Sequence, residues 1–342
     1  MPQFIVHFGV HKTGTSAFQA WLLTNRTRLF DAGLIVPGLG ASPAGNYKPL
    51  VEALVGQSRQ APERSEKMLS SLAREMKAAP NHDVIISSEY LSREIFREHL
   101  QSFSEKLDSC GYRKMAIVIV RDQGNWMNSG YAQRRKMLIE VPPSFESFVA
   151  DRISDDYGNW LGFSETLVGL GFEFATLPYA QDFRDAGAVR KIMSLPGLTG
   201  RVTVSNDEAA IRQNDSLGAI GLIVADQVRE RALETLPNLR QPVRVKLSTL
   251  IQSRVDQRVN DTKFNALTPK ISRMIAEAFD DANACYAKRY FDQPWSELFP
   301  PTDVPRALSP RWIEDLDRRD AEIVTRIADK VIDRANELNL LG

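Results

Sequence analysis

Cysteine is scarce in this chain. Cys110 and Cys285 stand far apart, with no Cys or His neighbours at metal-ligand spacing, so neither a disulfide framework nor a zinc site is expected, and no metal with it. A reducing compartment fits that usage. Charge of one sign is also missing. Lys plus Arg number 43 and Asp plus Glu number 43, so no global field holds nucleic acid or an anionic membrane, and any anion site has to be local. Long hydrophobic runs are absent too: the apolar stretch at 4–10 is interrupted by His7, is shorter than a signal-peptide core and has no basic leader. A glycine turn at Gly9 follows the first strand directly. The expectation is a cytoplasmic protein with no cleaved leader and no transmembrane segment.

What is present is ordinary globular material. The chain has 342 residues, 43% of them hydrophobic and 25% charged, enough to bury a sizeable core. Over the first 140 or so positions strand and helix signals alternate. Strands are expected at 4–8, 83–88 and 115–120, the last reading MAIVIV, and helices at 16–29, 50–55, 63–78, 91–107 and 125–137. The Gly/Pro-rich stretch 33–49 reads as an ordered surface loop. Such alternation predicts an α/β fold, a parallel sheet with flanking crossover helices. Beyond Pro142 and Pro143 the pattern turns mostly helical: helices at 145–153 and 157–170, one more strand at 173–179, a helix at 184–193, a polar connection at 195–215, and long helices at 216–236, 243–259 and 271–290. A last helix is expected from Ser309-Pro310, with Ser as N-cap and Pro at the first helical position. Its apolar stripe is Ile313, Leu316, Ile323, Ile327, Val331 and Ala335, which packs on the domain or serves a homo-oligomer. We divide the chain into an α/β domain with helical additions, 1–300, and a C-terminal helical extension, 301–342.

The loop Gly9-Val10-His11-Lys12-Thr13-Gly14-Thr15-Ser16 joins the first strand to the first helix. A Walker A loop places Lys where Thr15 stands, so that its ammonium reaches the terminal phosphates and the next hydroxyl holds magnesium. Here the lysine sits earlier, at Lys12, and the loop closes on the hydroxyls of Thr13, Thr15 and Ser16 beside the amides of a helix start. Such a nest binds an anion through aligned N–H groups and the helix dipole. A second element follows the strongest strand: Arg121, then Ser129 eight residues on. Both fall near the carboxyl edge of the sheet, where α/β ligands bind. An Arg fork and a hydroxyl suit one phosphate.

Together the two elements resemble the nucleotide site of sulfotransferases that use 3'-phosphoadenosine 5'-phosphosulfate (PAPS). The K-T-G-T-S arrangement is similar to their 5'-phosphosulfate loop, and the Arg121…Ser129 pair to their 3'-phosphate site. Further stretches resemble bacterial members of the family: Gly33-Leu34-Ile35-Val36-Pro37-Gly38, Ser129-Gly130-Tyr131-Ala132-Gln133, Arg212-Gln213-Asn214-Asp215-Ser216 and Phe291-Asp292-Gln293-Pro294-Trp295. The chain departs from them at Asn46-Tyr47-Lys48, where many bacterial members carry a His, and it lacks the glycine-rich C-terminal phosphate loop of animal cytosolic members. The resemblance implies a sulfotransferase fold, PAPS as sulfuryl donor with the 3',5'-bisphosphate (PAP) as product, and an acceptor hydroxyl or amine. It implies donor binding by Lys12, Thr13, Gly14, Thr15, Ser16, Arg121 and Ser129.

Sulfuryl transfer calls for a base near the acceptor. The candidates are His7, His11, His82, His99 and Glu89. Glu89 alone ends a buried strand at the carboxyl edge, which is where the family resemblance places its base, although a Glu at that point also suits a helix start. His11, next to Lys12, is kept as a minor candidate. His7 reads as a packed strand residue, and His82 and His99 receive no role. Arg134-Arg135-Lys136 reads as a solvated basic face that could also guide an anionic acceptor. The alternatives are a small-molecule kinase using ATP, disfavoured by the missing Gly-Lys-Ser/Thr, and a non-catalytic nucleotide-binding scaffold.

Overall fold

The structure, a computed structural model, describes residues 1–10, 13–58, 60–92, 97–210, 217–255, 261–300 and 308–341. The chain forms two compact units. The first comprises Met1–Asp122, Asp155–Gln213 and Phe279–Pro301; the second comprises Gln123–Ser154, Asn214–Ala278 and Thr302–Gly342.

The first unit is built on a five-stranded parallel sheet in the order β2-β3-β1-β4-β5. The strands are β1 (Gln3–Phe8), β2 (Leu34–Ile35), β3 (Asp83–Ser87), β4 (Arg113–Val120) and β5 (Phe172–Pro178). All six residues of β1 and seven of the eight in β4 are buried, the burial on both faces that helices flanking a parallel sheet impose. Val6 pairs with Ile86 on one side of β1 and with Ala116 on the other. From the central β1 the chain first builds one half of the sheet, β2 and β3, and then crosses to the other, β4 and β5. The loops after β1, β3, β4 and β5 therefore emerge at one carboxyl edge, around a topological switch point.

Helices of this unit are α1 (Thr15–Thr24), α2 (Arg26–Asp31), α3 (Lys48–Leu54), α4 (Pro62–Ala78) and α5 (Arg97–Ser109). In the second unit follow α6 (Gln123–Lys136) and α7 (Phe145–Ser154), and back in the first α8 (Trp160–Gly169), α9 (Gln181–Ala186), α10 (Ala188–Met193) and α11 (Asn206–Ala209). The helix expected at 16–29 is thus two. Asn25 intervenes, its amide and side-chain nitrogens both donating to Trp21 O at 3.0 Å, a local bond that competes with helix continuation. The helix expected at 91–107 differs too: Glu89–Ser92 is a 3₁₀ turn, and the α-helix is described from Arg97. Part of the Gly/Pro stretch 33–49 is not surface loop. Leu34 and Ile35 form the edge strand β2 with Val36 buried beside them, and the buried Tyr47 donates its hydroxyl to Pro37 O at 2.6 Å. Two strand residues between Gly33 and Pro37 are too few to show periodicity.

The second unit is helical among the described residues. Besides α6 and α7 it holds α12 (Ala219–Thr235), α13 (Gln241–Val255) and the first ten residues of α14 (Pro269–Phe291), whose remainder belongs to the first unit with α15 (Trp295–Leu298). Its last helix is α16 (Arg318–Glu337), capped by Asp317, which accepts from Asp320 N at 2.8 Å. The start expected at Ser309-Pro310 is therefore displaced. Ser309 exchanges two 2.8 Å bonds with the main chain of Asn265 instead, and Ile313 sits in a 3₁₀ turn (Ile313–Asp315). Val324, Ile327, Ala328, Val331 and Ala335 are buried on α16, which packs on α12 and α13. Of the expected stripe, Ile327, Val331 and Ala335 are thus buried within this unit, while Ile313, Leu316 and Ile323 are half-buried. Arg135, expected on a solvated face, is buried as well. Among the described residues no helix is long and apolar enough to cross a membrane, and no group of three or more His, Cys, Asp or Glu is placed to hold a metal.

Gly187, between α9 and α10, has φ 83°, and a Cβ there would lie 2.0 Å from Ala209 O. Gly187→Ala is expected to cost at least about 1–3 kcal/mol, because backbone strain adds to a clash with a carbonyl that cannot swing aside. A urea unfolding midpoint equal to that of the unsubstituted chain would contradict this.

Candidate functional site

The carboxyl edge of the first unit carries the candidates Thr13, Gly14, Thr15, Ser16, Glu89 and Arg121. β1 ends at Phe8, and Gly9 N turns back to donate to His7 O at 3.0 Å. The buried Thr13 closes the next turn by donating to Val10 O at 2.6 Å. Gly14 follows in the left-handed region, φ 76°, as N-cap of α1, with no side-chain cap bond. Only a glycine holds that conformation without strain. The first-turn amides of α1 thus face the carboxyl edge without a capping side chain, an arrangement suited to an anion. Ser16 is half-buried on the same turn. His11 and Lys12 lie outside the described residues, as does the 212–216 stretch.

Glu89 stands where β3 runs out. Ser88 N donates to the same His7 O at 3.0 Å, and Ser92 Oγ donates to Gly9 O at 2.9 Å. Thr15 Oγ1 donates to Glu89 Oε1 at 2.7 Å. Three bonds therefore tie the turn after β3 to the end of β1 and the segment that follows it, the last between a helix-start hydroxyl and the candidate base. A Cβ on Gly9 would lie 2.9 Å from Thr15 Cγ2 and 3.2 Å from Glu89 Cγ. Only a residue without a side chain lets the loop and the carboxylate approach this closely.

Arg121 leaves the end of β4. Its carbonyl accepts from Trp160 Nε1 at 3.0 Å, and its guanidinium lies 5.2 Å from the ring centroid of Tyr179, within cation–π range. Tyr179 is the first residue after β5, and Arg184 stands over the same ring at 5.7 Å. A Cβ at Gly14 would be 3.8 Å from Tyr179 Cε2, so this ring lies between the helix-start loop and two cations. Ser129 lies on α6 in the second unit.

Three residues around the site were not singled out from sequence as functional. Tyr179 is one; its signal would have been an aromatic residue placed directly after the fifth strand. Asn46 is the second: its Oδ1 accepts from Ser88 Oγ at 3.0 Å and from Lys48 N at 2.9 Å, so the position that departs from the bacterial pattern stands beside the residue preceding Glu89. The third is His7. It is a packed strand residue, as read, with Nδ1 2.7 Å from Ser87 Oγ. Complete burial pushes its imidazole down to about 4, the Glu89 carboxylate pulling the other way, so the ring is neutral beneath the candidate base at neutral pH. His82 precedes β3, its Nε2 3.1 Å from Phe30 O, and His99 is on α5 beside Glu98.

No family model matches the chain, and no curated protein matches it. Among solved structures, a sulfotransferase from Alicyclobacillus acidocaldarius is similar over 74% of this chain and 96% of its own, at 12% identity and a TM-score of 0.39. That likeness is too remote to carry an argument.

The buried His7 sets an acid limit on stability. Its unfolded imidazole titrates near 6.5 and its folded one near 4, so the unfolded state binds the proton first as pH falls. The full contribution is present above pH 6.5 and is lost progressively down to about 4, amounting to about 3 kcal/mol. Urea unfolding at several pH values is expected to show that loss, and His7→Gln, which cannot titrate, to flatten it. An unchanged slope in His7→Gln would assign acid lability elsewhere.

Proposed function

We propose that the chain is a sulfotransferase moving the sulfuryl group of PAPS to a hydroxyl or amine acceptor. The proposal rests on the Thr15–Glu89 hydrogen bond of 2.7 Å, which joins an uncapped helix-start loop to a carboxylate at the carboxyl edge of a parallel sheet. Anion holder and proton acceptor thereby stand side by side. The donor's 5'-phosphosulfate is assigned to Lys12, Thr13, Gly14, Thr15 and Ser16, with amides as the principal donors. Arg121 and Ser129 are assigned to its 3'-phosphate. Support for Arg121 comes from its place at the end of β4, over Tyr179, within the same edge.

In the reaction the acceptor oxygen or nitrogen attacks sulfur as the bond from sulfur to the bridging oxygen breaks, and that oxygen keeps the electron pair on the departing phosphate. The ammonium of Lys12 stabilises the charge developing there. Glu89 takes the acceptor's proton, with His11 as the minor candidate. Thr15 then has two acceptors for one hydrogen. When an oxyanion of the donor accepts it, the Glu89 carboxylate is released to act as base. Metal is not required, since a sulfuryl group beside one phosphate carries less charge than a triphosphate. We assign the activity to the cytoplasm; a glycan, a lipid head group, a small metabolite or a peptide tyrosine would each serve as acceptor.

Incubation with sulfur-labelled PAPS and fractionated cell extract tests the proposal. Label is expected to move to an extract component in the presence of EDTA. Glu89→Gln should lower that transfer by about two to four orders of magnitude while leaving melting temperature and PAP affinity unchanged. Transfer of phosphate from ATP with strict magnesium dependence would support the kinase reading instead. Separately, Arg121→Ala should weaken PAP binding about tenfold or more, since a charge-assisted bond to phosphate contributes about 1.5–3 kcal/mol, with ADP affinity little altered. Equal calorimetric affinities of the unsubstituted chain for ADP and PAP would remove the 3'-phosphate assignment.

A further inference from the structure

In the second unit two guanidiniums flank one tyrosine ring, and one of them is hydrogen-bonded to a carboxylate. Arg135, on α6, has no exposed side-chain surface. Its Nε and Nη2 donate to Asp226 Oδ2 at 2.9 and 2.6 Å, and Nη2 also donates to Arg311 O at 3.1 Å. Its guanidinium lies 5.9 Å from the ring centre of Tyr131 and 5.3 Å from that of Phe264. A second guanidinium, Arg311, lies 5.2 Å from the same Tyr131 ring and 4.4 Å from that of Trp312, with a 3.4 Å contact from Nη2 to Pro142 O. Asp226 is the one carboxylate hydrogen-bonded to either guanidinium among the described residues.

Three polar atoms of this cluster are buried without a hydrogen-bond partner among the described residues: Arg135 Nη1, Arg311 Nε and Tyr131 Oη. Arg135 is 1% exposed and Tyr131 0%. Leaving a buried donor unpaired is costly, most of all on a charged group. The strain shows in the titrating groups. Burial lowers the Arg311 guanidinium and raises the Asp226 carboxyl, the latter against the pull of Arg135. Of the two guanidiniums, Arg135 alone is hydrogen-bonded to a carboxylate among the described residues. Forked guanidiniums with a phenolic hydroxyl are the donors that oxyanions attract, and the Tyr131 and Phe264 rings beside them are buried.

We propose that the second unit holds a small-ligand oxyanion site in which Arg135, Arg311 and Tyr131 take a carboxylate, phosphate or sulfate group. Arg311 is only partly buried and is the route by which a ligand enters. The site is separate from the residues assigned to PAPS and does not depend on that assignment.

Thermal unfolding of the full chain at constant ionic strength tests this, exchanging chloride for sulfate, phosphate or acetate in the presence of saturating PAP. At least one oxyanion is expected to raise the melting temperature. A larger response to sulfate and phosphate assigns a tetrahedral group, and a larger response to acetate a carboxylate. Arg311→Gln should weaken the apparent affinity for that anion at least about tenfold without lowering the melting temperature in chloride, because the guanidinium it removes is hydrogen-bonded to no carboxylate among the described residues. Tyr131→Phe keeps the ring and loses only the hydroxyl, and should weaken the response in the same direction. PAP affinity should be the same in both variants as in the unsubstituted chain. The proposal is overturned if no oxyanion responds, or if the response survives in Arg311→Gln, which would assign it to the general salting effect of sulfate and phosphate instead of to this site.

Discussion

One main-chain oxygen governs the carboxyl edge of the sheet. His7 O accepts from Gly9 N and from Ser88 N, each at 3.0 Å, and so holds the loop after β1 and the turn after β3 to a common point. Inside a parallel ladder a carbonyl ordinarily serves one neighbouring strand. Here, where the ladder runs out, it serves two departing segments. The rest of the edge follows. Ser88 fixed in this way sets the starting point of the Glu89–Ser92 turn, Ser92 returns to Gly9 O, and Thr15 meets Glu89. The His7 ring anchors the same residue from within the core, against Ser87 Oγ and edge-on to Phe18. Holding that oxygen in place costs the burial of a titratable ring, which makes the edge sensitive to acid.

The proximity of a carboxylate to a loop proposed to hold an anion is unfavourable unless something mediates it. A hydroxyl can do so, because it donates to one anion and can be turned to another. Thr15 has that role by geometry, and Gly9 makes it possible by contributing no side chain between them. In a Walker A loop the position of Thr15 carries a lysine, which would neutralise Glu89 in an ion pair instead of holding it by a neutral donor. The exchange of Lys for Thr thus alters the electrostatics of the neighbouring carboxylate as well as the ligand's.

The sheet was legible because its strands are unambiguous: β4 reads as an unbroken apolar run, β3 as a shorter one, and each is followed by a turn. Glu89, Thr15 and Arg121 could be placed near the carboxyl edge for the same reason, since position relative to a strand end is a local property. Features decided by tertiary contact were not legible. β2 has two residues and needs β3 to exist. Ser309-Pro310 carries good local capping chemistry, yet the hydroxyl is spent on Asn265, and the helix waits for Asp317. Tyr179 has only the signal of an aromatic residue following a strand, and Asn46 has none in its own neighbourhood. They matter through Arg121 and Ser88, which are distant in sequence and are brought near by the parallel register.

Charge shows the same division between local and tertiary information. A formal net charge of zero says nothing about how buried cations are paired. In the first unit Lys114 meets Ser104 Oγ at 2.7 Å and Asp108 at 2.6 Å, and Arg201 meets Asp83. In the second unit Arg135 and Arg311 share Tyr131 as a neighbour, and Asp226 bonds only Arg135. The aromatic faces attract both guanidiniums, but a ring quadrupole offers no lone pair to an N–H at the edge of the fork. Cation–π contact therefore explains why the two arginines are tolerated side by side and leaves Arg135 Nη1 and Arg311 Nε unaccounted for. An acceptor with lone pairs and negative charge satisfies both at once, through the charge-assisted hydrogen bonds that guanidiniums make best.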